Sequence, residues 1–208
     1  MSNRFERMWK AWTPIAERFP AYALLGPGDS SFECLIERCP RHCCRIYNVS
    51  LGEWERTRME RESGLSPIEF LECEEGEPIA LPLAQPYVLK REEGQCALLR
   101  PDMKCGQYAG RPNACRLYPH FVLFVSRESG RPMHGNLPAM DAAARAFLED
   151  QDADLVPVLL RHLDCPGFGG AALGDAAWLD LFRETAQLQF GLLDPPEGSW
   201  TEDLASPV

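Results

Sequence analysis

Four cysteines within eleven residues constrain this chain more than any other feature of its sequence. Four residues separate Cys34 from Cys39, and three separate Cys39 from the adjacent pair Cys43–Cys44. Gaps of two to four residues allow one loop to wrap around a single metal ion. Thiolates are soft donors, so such a loop is typical of sites for zinc, iron–sulfur clusters or copper(I). Pro40 disfavours a continuous helix through the segment, which favours a loop organised by a metal.

Further cysteines downstream can complete the site. The chain of 208 residues has nine cysteines, and the later ones are Cys73, Cys96, Cys105, Cys115 and Cys165. Cys73 is predicted to lie in the middle of a helix among glutamates, and on that ground it is placed outside the site. The other eight thiols suffice for two four-cysteine sites, or for one cluster with additional redox cysteines.

The adjacent pair Cys43–Cys44 restricts the geometry of any such site. Neighbouring side chains in an extended segment point to opposite sides, so two thiolates on one tetrahedral ion need a special backbone. The pair is better suited to two metal positions, or to separate irons of one cluster. A strained disulfide between the two neighbours is a redox alternative.

The composition and the character of the first residues indicate that the cysteines are reduced thiols rather than disulfides. Apolar residues make up 45% of the chain, so a core can form without cysteines to compensate for small size. Residues 1–20 are charged and lack the apolar centre of a secretory signal, and no apolar run is long enough to span a bilayer. We therefore expect a cytoplasmic location, where dense cysteines indicate metal binding or catalysis rather than disulfides.

Net charge bears on the partners. A charge of −10 argues against a surface for duplex nucleic acid, because that affinity comes mainly from neutralised phosphates. The expected partner is a protein, bound or modified, with no nucleic acid and no membrane; the sequence predicts no oligomeric state.

Basic residues flank one of the later cysteines. Arg111 and Arg116 lie on either side of Cys115. A centre with four thiolates is anionic, so we expect these two arginines to offset its charge and orient the thiolates. Surface salt bridges are the alternative interpretation.

Two histidines lie near the cysteine motifs. His42 stands inside the first cluster, and His120 follows Tyr118-Pro119. Neutral imidazole binds zinc and iron, so each histidine is a candidate ligand. The favoured interpretation of both is a structural or surface histidine.

Apolar periodicity and turn residues predict an α+β fold, a small single domain with helices around a few short strands and a loop-rich cysteine site. Helices are predicted over 4–19, with a break at Pro14, from Ser50–Glu53 to about Glu62, from Ser66 past Cys73, over 138–150 and from Asp175 onward. Strands are predicted at 87–89, 96–99 and 121–125; residues 155–163 are helix or strand, and 165–170 are a loop.

The predicted organisation has four segments. Residues 1–31 form an N-terminal helix packed on the core, and residues 32–170 form the cysteine-rich metal- or cluster-binding domain. Residues 171–193 form a C-terminal helix, and residues 194–208 are predicted to be a flexible tail.

The order of these motifs resembles the CxxCxxCC family of zinc- or iron-chelating domains over roughly residues 32–170. The resemblance rests on the first cluster, the segment Arg111-Pro112-Asn113-Ala114-Cys115-Arg116-Leu117-Tyr118-Pro119, and Cys165-Pro166-Gly167. The eight cysteines of the family pattern match Cys34, Cys39, Cys43, Cys44, Cys96, Cys105, Cys115 and Cys165. The gaps of four and three residues are longer than the family name implies, and they are similar to the cysteine-rich part of flagellin lysine N-methylases.

The resemblance implies a cysteine-ligated metal site in a small cytosolic bacterial protein, with the eight matched cysteines as ligands. The first functional hypothesis is an iron–sulfur protein, for example of the 4Fe–4S type, with a redox or protein-modifying role. The second is a structural zinc module that acts in protein–protein interaction. No G-x-G-x-x-G loop supports a separate nucleotide or methyl-donor site, and neither catalytic residues nor enzymatic activity are predicted.

Overall fold

Short helices and strands alternate along the chain, with turn residues between them. The computed structural model describes residues 3–40 and 42–193. Its α-helices are α1 Asn3–Trp12, α2 Cys43–Ile46, α3 Glu53–Ser63, α4 Pro67–Phe70, α5 Asn113–Leu117, α6 Leu137–Leu148 and α7 Asp175–Phe190. Its strands are β1 Tyr22–Leu24, β2 Ser30–Phe32, β3 Ser50–Leu51, β4 Cys73–Glu74, β5 Glu77–Pro78, β6 Tyr87–Val88, β7 Arg91–Glu92, β8 Gln95–Cys96, β9 His120–Ser126, β10 Pro132–Met133, β11 Leu155–His162 and β12 Phe168–Ala172. The predicted α+β class is confirmed.

The chain forms two compact units. The first unit comprises residues 3–33 and 117–193, and the second comprises residues 34–116. No helix within these described residues is both long and apolar enough to cross a membrane. The four predicted segments stay a prediction, and the last of them, 194–208, lies outside the described residues.

A four-stranded antiparallel sheet forms the centre of the first unit. The strand order is β1-β11-β9-β10, and Val158 of β11 lies opposite Leu123 of β9. All residues of 155–160 are buried, which means that both faces of this strand are covered. Helices α1 and α6 contact β11, and α7 contacts β9. Residues 155–163, which the sequence left open between helix and strand, are therefore a core strand up to His162.

Proline divides the N-terminal helical segment. The predicted helix over 4–19 ends at Trp12, and a single 3-10 turn follows at Ala16–Arg18. Pro14 has no N–H to donate and restricts the residue before it, so the α-helix stops there. Met8, Trp12 and Ile15 are buried in the core of the first unit, as the apolar spacing predicts.

The glycine-rich segment after Cys165 is partly a strand, and the prediction of a loop over 165–170 is wrong from Phe168 onward. Strand β12 pairs with β2, with Phe168 opposite Phe32. A Cβ on Gly167 would lie 2.6 Å from the carbonyl oxygen of Glu33, and one on Gly170 would lie 2.4 Å from the Ser31 Oγ. These glycines are required because the two backbones approach so closely.

The second unit has a small core and several two-residue strands. Its buried apolar residues are Leu51, Met59, Phe70, Leu71 and Leu89. Strand β3 pairs with β6, β4 with β5, and β7 with β8. With so few buried side chains, apolar burial contributes less to the stability of this unit than to that of the first.

Two local predictions in the second unit are wrong. The N-cap of α3 is Gly52, whose N–H donates to Glu55, so the helix is capped two residues after the predicted Ser50. Helix α4, which opens at Ser66-Pro67 as predicted, ends at Phe70. Cys73 therefore lies on strand β4 rather than in a helix, where its Sγ donates to the Leu71 carbonyl at 3.3 Å.

Candidate metal centre

The adjacent cysteines lie on a single helical turn, α2, in the second unit. The segment before it forms a 3-10 turn, Ile36–Arg38, and His42 is the N-cap of α2. With 3.6 residues per turn, neighbouring side chains on a helix point about 100° apart rather than to opposite sides. Helix α2 is therefore the special backbone that allows Cys43 and Cys44 to serve one site.

Arg91 of β7 holds the end of this short helix. Its guanidinium donates to the carbonyl of Arg45 at 2.8 Å and to that of Tyr47 at 2.7 Å, and it also donates to the carbonyl of Gly94. The last carbonyls of a helix have no partner within it, so Arg91 satisfies groups that would otherwise be open. Its positive charge also opposes the rise in the pKa of Cys96.

The thiols of Cys43 and Cys44 interact directly. Their hydrogen bond lowers the pKa of Cys43 to about 6, and the neighbouring His42 contributes to the lowering. The same hydrogen bond, followed by burial, raises the pKa of Cys44. Cys43 therefore carries thiolate character near neutral pH, which is the form that binds a metal.

Three more thiols interact electrostatically with Cys43. Cys96 is on β8, and Cys115 is on α5. Cys105 forms an isolated antiparallel β-bridge, through its backbone, with Leu99. Burial raises the pKa of each, that of Cys115 to about 12, and the negative charge of Cys43 raises each of them further. The five thiols repel one another as thiolates, and a bound cation would offset that charge, so this donor set fits a metal.

His42 is buried beside the two helical cysteines. One of its ring nitrogens and the sulfurs of Cys43 and Cys44 all lie within 4.8 Å of one another. The side chain is 8% exposed, and its Nε2 lies 2.9 Å from the carbonyl oxygen of Met103. Its Nδ1 is buried and has no hydrogen-bond partner among the described residues.

A buried polar network holds the helix that carries Cys115. Glu55 of α3 is fully buried, and its two oxygens accept from the backbone N–H of Gly52 at 3.0 Å and of Asn113 at 2.6 Å. Arg58, one turn later, donates to the Asn113 Oδ1 at 3.2 Å and to the Arg111 carbonyl at 2.6 Å. The network fixes the start of α5, two residues before Cys115.

Sequence reasoning missed this network. Glu55 and Arg58 stand three residues apart on a helix and so share a face, but α3 has charged residues all round, and the pattern resembles an ordinary solvated helix. The only sequence signal was Asn113 in the segment before Cys115, because an asparagine beside a helix start commonly bonds to backbone.

The two predicted arginines differ in position. The Arg111 guanidinium lies 3.9 Å from the ring centroid of Tyr108, and its charge opposes the rise in the pKa of Cys105 and Cys115. Arg116 lies on α5 next to Cys115, and its charge acts on Arg58, whose pKa is lowered mainly by burial. That Arg111 and Arg116 contact a bound group stays a prediction.

Of the eight predicted ligands, Cys43 and Cys44 lie together beside a ring nitrogen of His42, and Cys96, Cys105 and Cys115 interact electrostatically with Cys43. That these cysteines bind a metal stays a prediction. Cys34 is exposed and Cys39 is half-buried, both on the segment that leads to α2. Cys165 lies in the first unit, between β11 and β12, where its N–H donates to the His162 carbonyl at 3.2 Å. All nine cysteines lie within the described residues, and none of them forms a disulfide.

Comparison with known proteins gives one family match. The sequence model of the CxxCxxCC family, described as "Putative zinc- or iron-chelating domain", matches residues 33–141. That range is about half of the chain and includes the described part of the second unit, residues 34–116. No curated protein and no solved structure matches the chain, so the similarity to flagellin lysine N-methylases gains no support.

Proposed function

Because the chain belongs to the CxxCxxCC family of zinc- or iron-chelating domains, we propose that its second unit holds an iron–sulfur cluster with a redox or protein-modifying role. The observation that carries the proposal is the group of five thiols around α2: Cys43 and Cys44 lie with a His42 ring nitrogen within 4.8 Å of one another, and Cys96, Cys105 and Cys115 interact electrostatically with Cys43. Four of them would serve as ligands of a cluster. The expected protein partner and the cytoplasmic location stay predictions.

The chemistry of the donors supports iron and sulfide. Iron–sulfur clusters are held by cysteine thiolates, and adjacent cysteines such as Cys43 and Cys44 can bind separate irons of one cluster. A cluster at this position would supply one-electron transfer. The residues around it supply the adjustment of its potential: Arg91 and Arg111 bring positive charge, and burial of Cys96 and Cys115 limits access of water.

A structural zinc site is the second candidate, and the small core of the second unit favours it. Cys96 and Cys115 pack against the apolar cluster of Leu51, Met59, Phe70, Leu71 and Leu89. A metal bound there would link hairpins that have little apolar surface to hold them together. On this hypothesis the unit binds other proteins and carries out no redox chemistry.

Metal and sulfide analysis of anaerobically purified protein separates the two. We expect iron together with acid-labile sulfide and visible absorption that bleaches on reduction. Zinc at one or two ions per chain, without sulfide or colour after anaerobic handling, would overturn the iron–sulfur proposal in favour of the zinc module. Protein free of both metals would overturn both candidates.

Two serine variants connect the metal with the named thiols. Cys115→Ser should lower metal content and stability together, because ligation is coupled to folding. Cys73→Ser is the matched control: it removes a thiol of the same unit that lies on β4 and donates to the Leu71 carbonyl, which a hydroxyl can also do. Equal metal content in both variants would remove Cys115 from the ligand set.

A further inference from the structure

We propose that His42 is a ligand of the metal centre through its Nδ1, so that the centre is of mixed imidazole and thiolate type. The inference rests on the proposed metal function of the second unit, and it adds a ligand that the cysteine pattern does not contain.

His42 is buried, but in the described part of the chain one of its ring nitrogens has no hydrogen-bond partner. The His42 side chain is 8% exposed, yet its Nδ1 has no hydrogen-bond partner within the described residues. A buried polar atom in a native protein normally has a partner, so this nitrogen calls for one.

The other ring nitrogen determines what that partner must be. Nε2 lies 2.9 Å from the Met103 carbonyl oxygen. A carbonyl oxygen can only accept, so Nε2 carries the hydrogen. In a neutral imidazole the lone pair is then on Nδ1, which is the form that binds a metal. Metal-bound histidines commonly donate their second N–H to a backbone carbonyl in this way.

The Met103 carbonyl is held in place for this contact. Met103 has a φ of 62°, in the left-handed region that few residues other than glycine adopt. The Arg45 Nη2 lies 3.3 Å from the Met103 sulfur and anchors its side chain. Backbone in this region persists only where surrounding contacts fix it, and it is common at functional sites. The turn at Met103 therefore orients the imidazole, and it leads directly into Cys105, which supplies a thiol.

His42 also lies close to the two cysteines of α2. A ring nitrogen of His42 and the sulfurs of Cys43 and Cys44 lie within 4.8 Å of one another. Bonds of about 2.0–2.3 Å bring two ligands of one tetrahedral ion to within about 4 Å. Small side-chain movements are enough to close that gap. As a ligand, a neutral imidazole also brings no further negative charge to the thiols around it.

X-ray absorption at the K-edge of the bound metal, in anaerobically purified wild-type protein, tests the inference directly. A coordinated imidazole gives outer-shell scattering from its ring that a thiolate does not give. We expect this signal in wild-type protein and in His134→Ala, which replaces an exposed histidine as the control. We expect its loss in His42→Cys, in which a sulfur ligand can keep the metal bound.

The outcomes separate this inference from the proposed function. Wild-type protein with metal but with sulfur scattering alone would overturn His42 as a ligand and leave the metal centre intact. An imidazole signal that persists in His42→Cys would overturn it as well, because another histidine would be the ligand. Protein without iron or zinc would overturn the metal function itself, and this inference with it. His42→Ala should bind zinc at least about 10-fold more weakly than wild type; equal affinity would count against the inference.

Discussion

At the residue scale, single buried polar atoms determine how the metal-binding unit is built. Glu55 is fully buried and accepts hydrogen bonds from two backbone N–H groups, one at the start of α3 and one at the start of α5. One carboxylate thus connects the start of α3 to the helix that carries Cys115. Removing a partner from a buried network leaves a donor without an acceptor, which costs more than the bond itself contributes.

Glu55→Gln should weaken the second unit and its metal binding together. The amide has one oxygen, so either Gly52 or Asn113 loses its acceptor. We expect a loss of about 1–3 kcal/mol in the free energy of unfolding and metal binding weaker by about 10-fold. Chemical unfolding and metal titration are the measurements. Glu74→Gln, on an exposed residue of β4, is the control and should change neither quantity.

His120 should make the stability of the first unit depend on pH. Its ring lies edge-on to Phe32 and Phe168, and burial lowers its pKa from 6.5 to about 4. Between these values the unfolded chain binds a proton that the folded chain does not. Stability is therefore fully present above about pH 6.5, falls as the pH drops towards 4, and levels off below.

His120→Phe tests this linkage. The pKa shift of His120 is discounted because its ring is partly exposed. Between pH 7 and pH 4.5, we expect the free energy of unfolding of wild-type protein to fall by about 2 kcal/mol more than that of the variant. The difference between the two proteins, measured by urea unfolding, cancels the pH dependence of metal binding. Parallel pH profiles would show that His120 is not buried in its neutral form.

At the element scale, α2 is a helix of four residues that cannot be stable by itself, since nucleation costs more than one turn returns. The contacts that define it come from elsewhere in the second unit: Arg91 at its last carbonyls and His42 at its start. The position of two thiols therefore depends on one guanidinium.

Arg91→Ala should release the end of α2. It removes charge-assisted hydrogen bonds to the carbonyls of Arg45 and Tyr47. We expect the free energy of unfolding to fall by about 1–3 kcal/mol and metal binding to weaken. Arg61→Ala, whose side chain is largely exposed on α3, is the matched control and should stay within about 0.5 kcal/mol of wild type. The same result for both variants would mean that α2 does not depend on Arg91.

The sequence predicted elements with strong local signals and failed where tertiary contacts decide. Strand β9 and helix α6 follow from apolar runs and periodicity, and Pro14 marked the end of α1. The position of Cys73 was wrong because α4 stops at Phe70, and the next residues pair across a hairpin instead of continuing the helix. The role of Glu55 was hidden because its partner, Asn113, lies 58 residues further on.

The candidate site was predictable as a set of thiols but not as a geometry. The cysteine count and the family resemblance placed all five of these cysteines among the candidate ligands, a set that stays a prediction. Nothing in the cysteine spacing indicated that Cys43 and Cys44 would share one helical turn, or that the turn at Met103 would hold His42, because both depend on contacts between distant segments.

At the scale of the whole molecule, the two units differ in what stabilises them. The first has an extensive core around β9 and β11, including Trp178 and Phe182. The second has five buried apolar residues and the thiol cluster. We therefore expect loss of metal to destabilise the second unit and to leave the core of the first unit unchanged.

Chelation should destabilise the second unit selectively. We expect hydrogen exchange to accelerate across residues 34–116 when metal is removed anaerobically, while the amides of β9 and β11 keep their protection. Mass spectrometry of exchanged peptides, with and without metal added back, is the measurement. Equal acceleration in β9 and β11, or none in residues 34–116, would contradict the expectation.

The position of residues 34–116 in the chain also affects the order in which the protein can form during translation. Residues 34–116 are contiguous, whereas strand β1 must pair with β11, with Tyr22 opposite His162. Synthesis proceeds from the N-terminus, and domains generally fold as units as they emerge. Cys43, Cys44, Cys96, Cys105 and Cys115 are therefore all synthesised before the partner strand of β1. Those thiols can bind metal, or react with an oxidant, before β11 completes the sheet of the first unit.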